Sequence, residues 1–270
     1  MTRDISIAHL SAIELAPPAL IEAAAEGGLD AVGLRLIKVT ADSPGYPLWQ
    51  DPAMMRATKD ALRNSGLRVN DIEFVKVTAE TTVESLLPFF DCGAELEAKT
   101  AILAPYDEDL SRLSQTIGAL SEAAQARGLG VVLEFFPWTS VPDLATCWQV
   151  VQAAGDDVGL LVDSLHFDRS GSSLDLLAQI PQERIPFLHL CDAPVLPAYT
   201  VEHLLHTARA ERFAPGDGQI DLAAFLQAAP DAPIGLEIPR PVPMSAKGYA
   251  SAFATYVRKT RALLDTLSAT

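Results

Sequence analysis

The chain has 270 residues, 49% of them hydrophobic, with a formal net charge of −15 and a pI of about 4.6. That length suits a single domain of the α/β-barrel kind, which takes about 250 residues. So acidic a surface repels phosphate backbones and anionic headgroups, which excludes nucleic acid and membrane surfaces as partners.

The opening MTRDISIAHL has an early acid and no long apolar segment, so no secretory signal is expected. No apolar run approaches the roughly 20 residues of a membrane span. Cys92, Cys147 and Cys191 are widely spaced, with no CxxC. The expectation is a cytoplasmic protein without disulfides.

Short apolar runs alternate with helical patterns along the whole chain. Strands are expected at 5–10, 31–36, 69–77, 100–104, 131–136, 158–162, 185–190 and 234–238. Between them, Pro17-Pro18 opens a helix that Gly27-Gly28 ends. Asp51-Pro52 opens a second helix that stops near Gly66. Further helices are expected at 83–98, 109–127, 143–154 and 174–180. The stretch 192–221 is the longest irregular connection, with one short helix at 201–210 and then the loop APGDGQID. Asp221 caps another short helix, and a last one covers 246–267. Strands that are apolar throughout and alternate with helices indicate a parallel sheet covered on both faces. An open doubly wound sheet is the alternative. Against it, SAIELAPPAL follows the first strand where a glycine-rich phosphate loop would stand. The predicted fold is therefore a single-domain (β/α)₈ barrel over residues 1–270.

Late in four successive strands sits one metal-competent side chain: Glu134 in VVLEFF, Asp163 in GLLVDSLH, His189 in IPFLHL and Glu237 in IGLEI. The steps are 29, 26 and 48 residues, about one βα unit each, with the long loop inflating the last. Barrel active sites form at the C-terminal ends of strands, so the four converge. A lone strand-end carboxylate is commonly just a solvated loop group. An ionised carboxylate within an apolar strand, however, needs a partner or a cation. Three carboxylates and an imidazole suit one divalent ion, Mn²⁺ or Mg²⁺, with Co²⁺ or Zn²⁺ also possible.

Around that centre, His166 in DSLH is expected to contact substrate. Arg35 and Lys38 end the second strand, Glu73 and Lys76 the third, and Arg240 follows the eighth; each could anchor a substrate group or form an ordinary ion pair. His9, late in the first strand, could line the mouth or pack. Arg212 could reach into the mouth, and Trp138, with Phe135 and Phe136, could wall the pocket. His203 and His206 lie on a helix as surface groups.

The motifs VVLEFFP, VDSLHFDRSG, FLHLCDAP, RFAPGDGQID and IGLEIPRP cover residues 130–241. Together they resemble the xylose isomerase-like barrel superfamily, also called the sugar phosphate isomerase/epimerase group. In its ketose epimerases, two glutamates matching Glu134 and Glu237 bind metal and flank the substrate carbon. One removes a proton next to the carbonyl and the other returns one. The resemblance implies those catalytic roles here, with Asp163 and His189 completing the metal site and His166 on a substrate oxygen. Homodimers or homotetramers are common in that group. One departure stands out. The epimerases commonly carry an arginine shortly after the seventh-strand histidine, whereas here CDAPVLPAYT has none before Arg209 and Arg212.

The expected activity is a metal-dependent isomerase or epimerase of a small polyhydroxylated carbonyl compound. The alternative is a lyase of the 3-dehydroshikimate or keto-inositol dehydratase type, which begins with the same proton abstraction. A non-catalytic sugar- or metal-binding barrel is a third class; it would have no need of two carboxylates on one metal-bound carbon.

Overall fold

The computed structural model describes residues 3–40 and 43–268. Eight parallel strands close in sequence order, the first pairing with the last through Ile5 with Ile234 and Ile7 with Leu236. They are β1 (Ile5–Ile7), β2 (Ala31–Arg35), β3 (Arg68–Val77), β4 (Thr100–Pro105), β5 (Gly130–Glu134), β6 (Val158–Asp163), β7 (Leu188–Leu190) and β8 (Ile234–Leu236). The helices are α1 (Pro17–Glu26), α2 (Pro52–Ser65), α3 (Val83–Glu95), α4 (Leu110–Gln125), α5 (Leu144–Ala154), α6 (Ser164–Arg169), α7 (Leu174–Gln179), α8 (Val201–Ala210), α9 (Leu222–Ala228) and α10 (Ala246–Ser268).

Local chemistry sets these boundaries. The Asp51 carboxylate accepts from the Ala53 and Met54 amides, Pro52 occupies the first turn, and Gly66 ends α2 with φ +73°. Asp109, Asp143 and Asp221 cap α4, α5 and α9 in the same way. Most of the hydrophobic core lies between the strands and the helical ring. A second, small cluster of Ile102, Val132, Leu161 and Phe187 fills the barrel interior, as packed barrel cores require.

Three departures from the sequence reading bear on the site. The first strand ends at Ile7, and His9–Ala12 turn as a 3₁₀ helix. The seventh begins at Leu188, after a 3₁₀ turn at Gln182–Arg184. Helix α6 is an unexpected element, and it starts because the Asp163 carboxylate accepts from the Leu165 and His166 amides. His166 is thus fixed on a helix.

The interior also holds a carboxyl that the sequence reading did not single out. Asp71 on β3 is buried, with Oδ2 accepting from Asn70 at 3.0 Å and Oδ1 without a partner. It fits because Gly33 faces it: a methyl group there would come within 2.5 Å of Oδ1. Burial, followed by the Glu73 carboxylate, pushes the Asp71 carboxyl up to about 7. A carboxyl whose folded pKa is raised binds its proton more tightly than the unfolded chain does. Its penalty is absent below the ordinary value near 3.8, grows as pH rises toward 7, and persists above. Asp71→Asn is therefore expected to raise stability by roughly a few kcal/mol at pH 8 and by progressively less as pH falls to 4. Denaturant midpoints at the two pH values check this.

Candidate metal centre

Glu134 ends β5, Asp163 ends β6 and caps α6, His189 sits in β7, and Glu237 immediately follows β8. All four side chains are buried, and one potential ligand atom from each lies within 4.8 Å of the others. His189 has room because Gly235 faces it; a methyl group there would meet its ring carbon at 2.9 Å.

The polar atoms at this point are incompletely satisfied. Glu134 Oε1 and both ring nitrogens of His189 are buried without hydrogen-bond partners. His189 Nδ1 lies 3.8 Å from Glu237 Oε2. Buried polar atoms normally have partners, and a convergent set of unpaired acceptors is the arrangement a cation completes. The charge balance agrees. Of the buried carboxyls of Asp71, Glu73, Glu134, Asp163 and Glu237, those with a guanidinium partner among the described residues are Glu73, on Arg35, and Asp163 and Glu237, both on Arg212. The donor set therefore fits one divalent ion.

Arg212 binds the centre from within the protein. It donates to Asp163 Oδ2 at 2.6 Å, pairs with Glu237 Oε2 at 2.9 Å, and is steadied by the Ala208 carbonyl at 3.0 Å. Burial alone would raise Asp163, but the guanidinium brings its carboxyl down to about 2. Glu134 lacks such a partner. Burial, and then the Glu237 and Asp163 carboxylates, raise its carboxyl well above the ordinary range.

The loop before α9 delivers Arg212 through Asp192, a second residue not singled out from sequence. Asp192 exchanges two backbone hydrogen bonds with Phe213, and its carboxylate accepts from the Gly216 and Ile220 amides. Gly218 packs against that carboxylate so closely that any Cβ would collide with it. The glycines of PGDG thus fold the loop around one aspartate. An acid just past a strand-end histidine, followed by a glycine-rich turn, was the available signal.

On the β5–β6 side, His166, Phe136 and Trp138 make an aromatic wall. Trp138 meets His166 edge-on at 5.2 Å, and Phe136 meets it at 4.9 Å. His166 Nε2 lies 3.8 Å from Glu134 Oε1, its Nδ1 has no partner, and burial lowers its pKa to about 3, so the ring is neutral. Across the barrel, Arg35 pairs with Glu73 at 3.2 Å and lies over the Phe74 ring. Arg35 Nε and Glu73 Oε1 remain unpaired.

Other expected contacts fall elsewhere. Both ring nitrogens of His9 are taken by backbone: Nδ1 accepts from the Arg35 amide at 2.8 Å, and Nε2 meets the Leu15 carbonyl at 2.9 Å. His9 stacks on Tyr46 as a packed histidine and has no nitrogen left for substrate. Arg240 turns away toward Tyr256 of α10 and lines a surface cavity there. Lys38 is exposed beyond the end of β2, and His203 and His206 are exposed on α8. The three cysteines are buried free thiols. Among the described residues, no helix is long and apolar enough to cross a membrane.

The chain is thus a closed parallel barrel that gathers acidic and histidine side chains at its strand ends. Residues 21–259 match the family model described as xylose isomerase-like TIM barrel. The chain belongs to that family. It is 32% identical over 125 residues to an inosose isomerase of Bacillus velezensis, covering 45% of this chain and 42% of that protein. It is 33% identical over 116 residues to a 3-dehydroshikimate dehydratase of Pseudomonas aeruginosa, covering 42% of this chain and 18% of that protein. The match thus spans less than half the length of either relative. The fold agrees with the crystal structure of the IOLI protein with a bound zinc atom, at TM-score 0.79 and 19% identity, covering 98% of this chain and 99% of that one. The relatives are enzymes, and the acidic and histidine cluster is a candidate divalent-metal site in this chain.

Proposed function

We propose that the protein is a divalent-metal-dependent isomerase or epimerase of a small, neutral, polyhydroxylated carbonyl compound. The observation that carries this reading is the convergence of Glu134, Asp163, His189 and Glu237 around unpaired buried acceptors. A divalent ion held by these four, Mn²⁺ or Mg²⁺ by the oxygen-rich donor set, would polarise a carbonyl and acidify the adjacent C–H.

The protein's own groups divide the remaining work. Glu134 has an oxygen free of any partner and a raised proton affinity, so it removes the proton next to the carbonyl. Glu237, across the site on β8, returns one. Its tie to Arg212 fixes its direction. Neutral His166 donates to a substrate oxygen. The free Arg35 Nε and Glu73 Oε1 offer one donor and one acceptor to hydroxyls. Phe136 and Trp138 exclude water from the carbanionic side.

The lyase reading draws support from the dehydratase relative. A 3-dehydroshikimate-type substrate carries a carboxylate, however, and needs a cation to receive it. Arg35 and Arg212 are already neutralised by Glu73, Asp163 and Glu237. Arg240 faces α10. This pairing favours a neutral polyol over a carboxylate-bearing substrate such as 3-dehydroshikimate.

The test is proton exchange. The Mn²⁺-loaded protein is incubated in D₂O with ketoses, keto-inositols and 3-dehydroshikimate, each followed by NMR. Deuterium at one α-carbon with an isomeric or epimeric product is expected from a ketose or keto-inositol. Water loss from a keto-inositol or from 3-dehydroshikimate as the fastest reaction would replace the isomerase reading with the lyase one.

A further inference from the structure

A separate cleft of about 390 Å³ shares Trp138 with the wall of the metal centre. Pro105 at the end of β4, with Tyr106 and Glu108 of the β4–α4 connection, lines one side, and Trp138, Thr139 and Ser140 of the β5–α5 connection line the other. Its size is that of a small-ligand site.

The cleft is built on a fixed frame. Asp107, between Tyr106 and Glu108 in the chain, is buried and held by Arg112 through Nε at 2.7 Å and Nη2 at 2.6 Å. Ser140 donates to the Asp107 carbonyl at 2.8 Å, which ties the two connections together. Thr139 donates to the Phe136 carbonyl at 3.0 Å.

The lining has a definite chemistry. Tyr106 is 38% exposed although large and aromatic. Trp138 is half-buried, packing one side on Phe136. Among the described residues the exposed Glu108 carboxylate has no ion-pair partner, and the Ser140 oxygen keeps acceptor capacity. Aromatic surface next to hydrogen-bonding oxygens matches a pyranose ring, with its C–H faces and its hydroxyl rim. The Glu108 carboxylate disfavours a phosphate or carboxylate in the same place. The Lys76 ammonium lies 4.9 Å from the Tyr106 ring centre.

Trp138 belongs to both sites. It lines the cleft, and its edge touches His166, whose Nε2 lies 3.8 Å from Glu134. We propose that the cleft is a glycosyl subsite: it receives a neutral hexopyranosyl ring joined by a glycosidic bond to the carbonyl sugar at the metal centre. The preferred substrates are then glycosyl-ketoses and not free ketoses. The assignment of the reacting sugar rests on the function proposed above; the ring-binding cleft does not.

Two readouts on the Mn²⁺-loaded full chain test this. In calorimetric titration, methyl glucosides and the glucosyl-fructoses turanose, maltulose and palatinose are compared with D-fructose. At least one glucoside is expected to bind saturably, and Tyr106→Ala and Glu108→Gln should each weaken it about tenfold. In the D₂O exchange assay, one glucosyl-fructose should exceed D-fructose about tenfold in kcat/KM, through KM. Tyr106→Ala should remove that advantage and leave D-fructose exchange unchanged. Glucosides that do not bind, or that bind the two variants as tightly as the parent, overturn the subsite even if free ketoses exchange. Binding lost in Tyr106→Ala with no exchange of any carbonyl compound keeps the subsite and defeats the proposed reaction.

Discussion

Glu134→Gln is expected to lower α-proton exchange about 10³-fold while substrate still binds. The carboxyl contributes the proton-transfer step, and losing a positioned general base of this kind costs about 10²–10⁴-fold. The substitution preserves shape and keeps one oxygen to face the metal centre, so the barrel should keep its fold. A weaker hold on metal is also expected, since a neutral amide is a poorer ligand, and exchange is therefore measured at saturating Mn²⁺. Calorimetric binding of the substrate to the variant separates lost chemistry from lost affinity. Unchanged exchange would remove Glu134 from the mechanism.

Arg212→Met is expected to have the largest effect on stability. The Arg212 side chain is 2% exposed and contacts both Asp163 and Glu237. Removing one partner of a buried pair leaves charge uncompensated, at a cost of about 3–5 kcal/mol. The Asp163 carboxyl, held at about 2, works in the same direction. With a folded pKa below its unfolded value, it contributes stability above pH 3.8, and that contribution is lost as pH falls through 2. Without Arg212 the acid-unfolding midpoint should move to higher pH. Saturating Mn²⁺ should recover part of the loss, because an ion bound only by the folded state stabilises by mass action. Denaturant unfolding at pH 7 in chelator and in Mn²⁺ gives both quantities. A variant as stable as the parent in chelator would show that the guanidinium holds nothing in place.

The convergence of Glu134, Asp163, His189 and Glu237 was legible because a charge in an apolar strand stands out against its neighbours, and barrel topology says where successive strand ends meet. The eight strands were legible for the same reason, as buried runs punctuated by caps such as Asp51-Pro52 and Gly66. What a side chain touches was harder to read. His9 and Arg240 had the right chemistry near strand ends, but a 3₁₀ turn directs His9 onto backbone groups and Arg240 packs toward Tyr256. Asp71 was hidden because it follows Asn70 in a strand of mixed polar and apolar residues, and nothing local marks the space that Gly33 leaves on the adjacent strand. Asp192 was hidden because its partners, Phe213, Gly216 and Ile220, lie more than twenty residues ahead. Helix α6 was missed because its start depends on an aspartate that looked like a metal ligand alone.

The most direct test of the account is a Mn²⁺ titration of the chain after exhaustive chelation, followed by calorimetry and by loss of the free-ion electron spin resonance signal. One tightly held ion per chain is predicted, with binding lost in His189→Ala and in Asp163→Ala while both variants keep the parent's far-ultraviolet circular dichroism. Failure of Mn²⁺, Mg²⁺, Co²⁺ and Zn²⁺ alike to bind stoichiometrically would contradict the metal centre, and with it the proposed reaction.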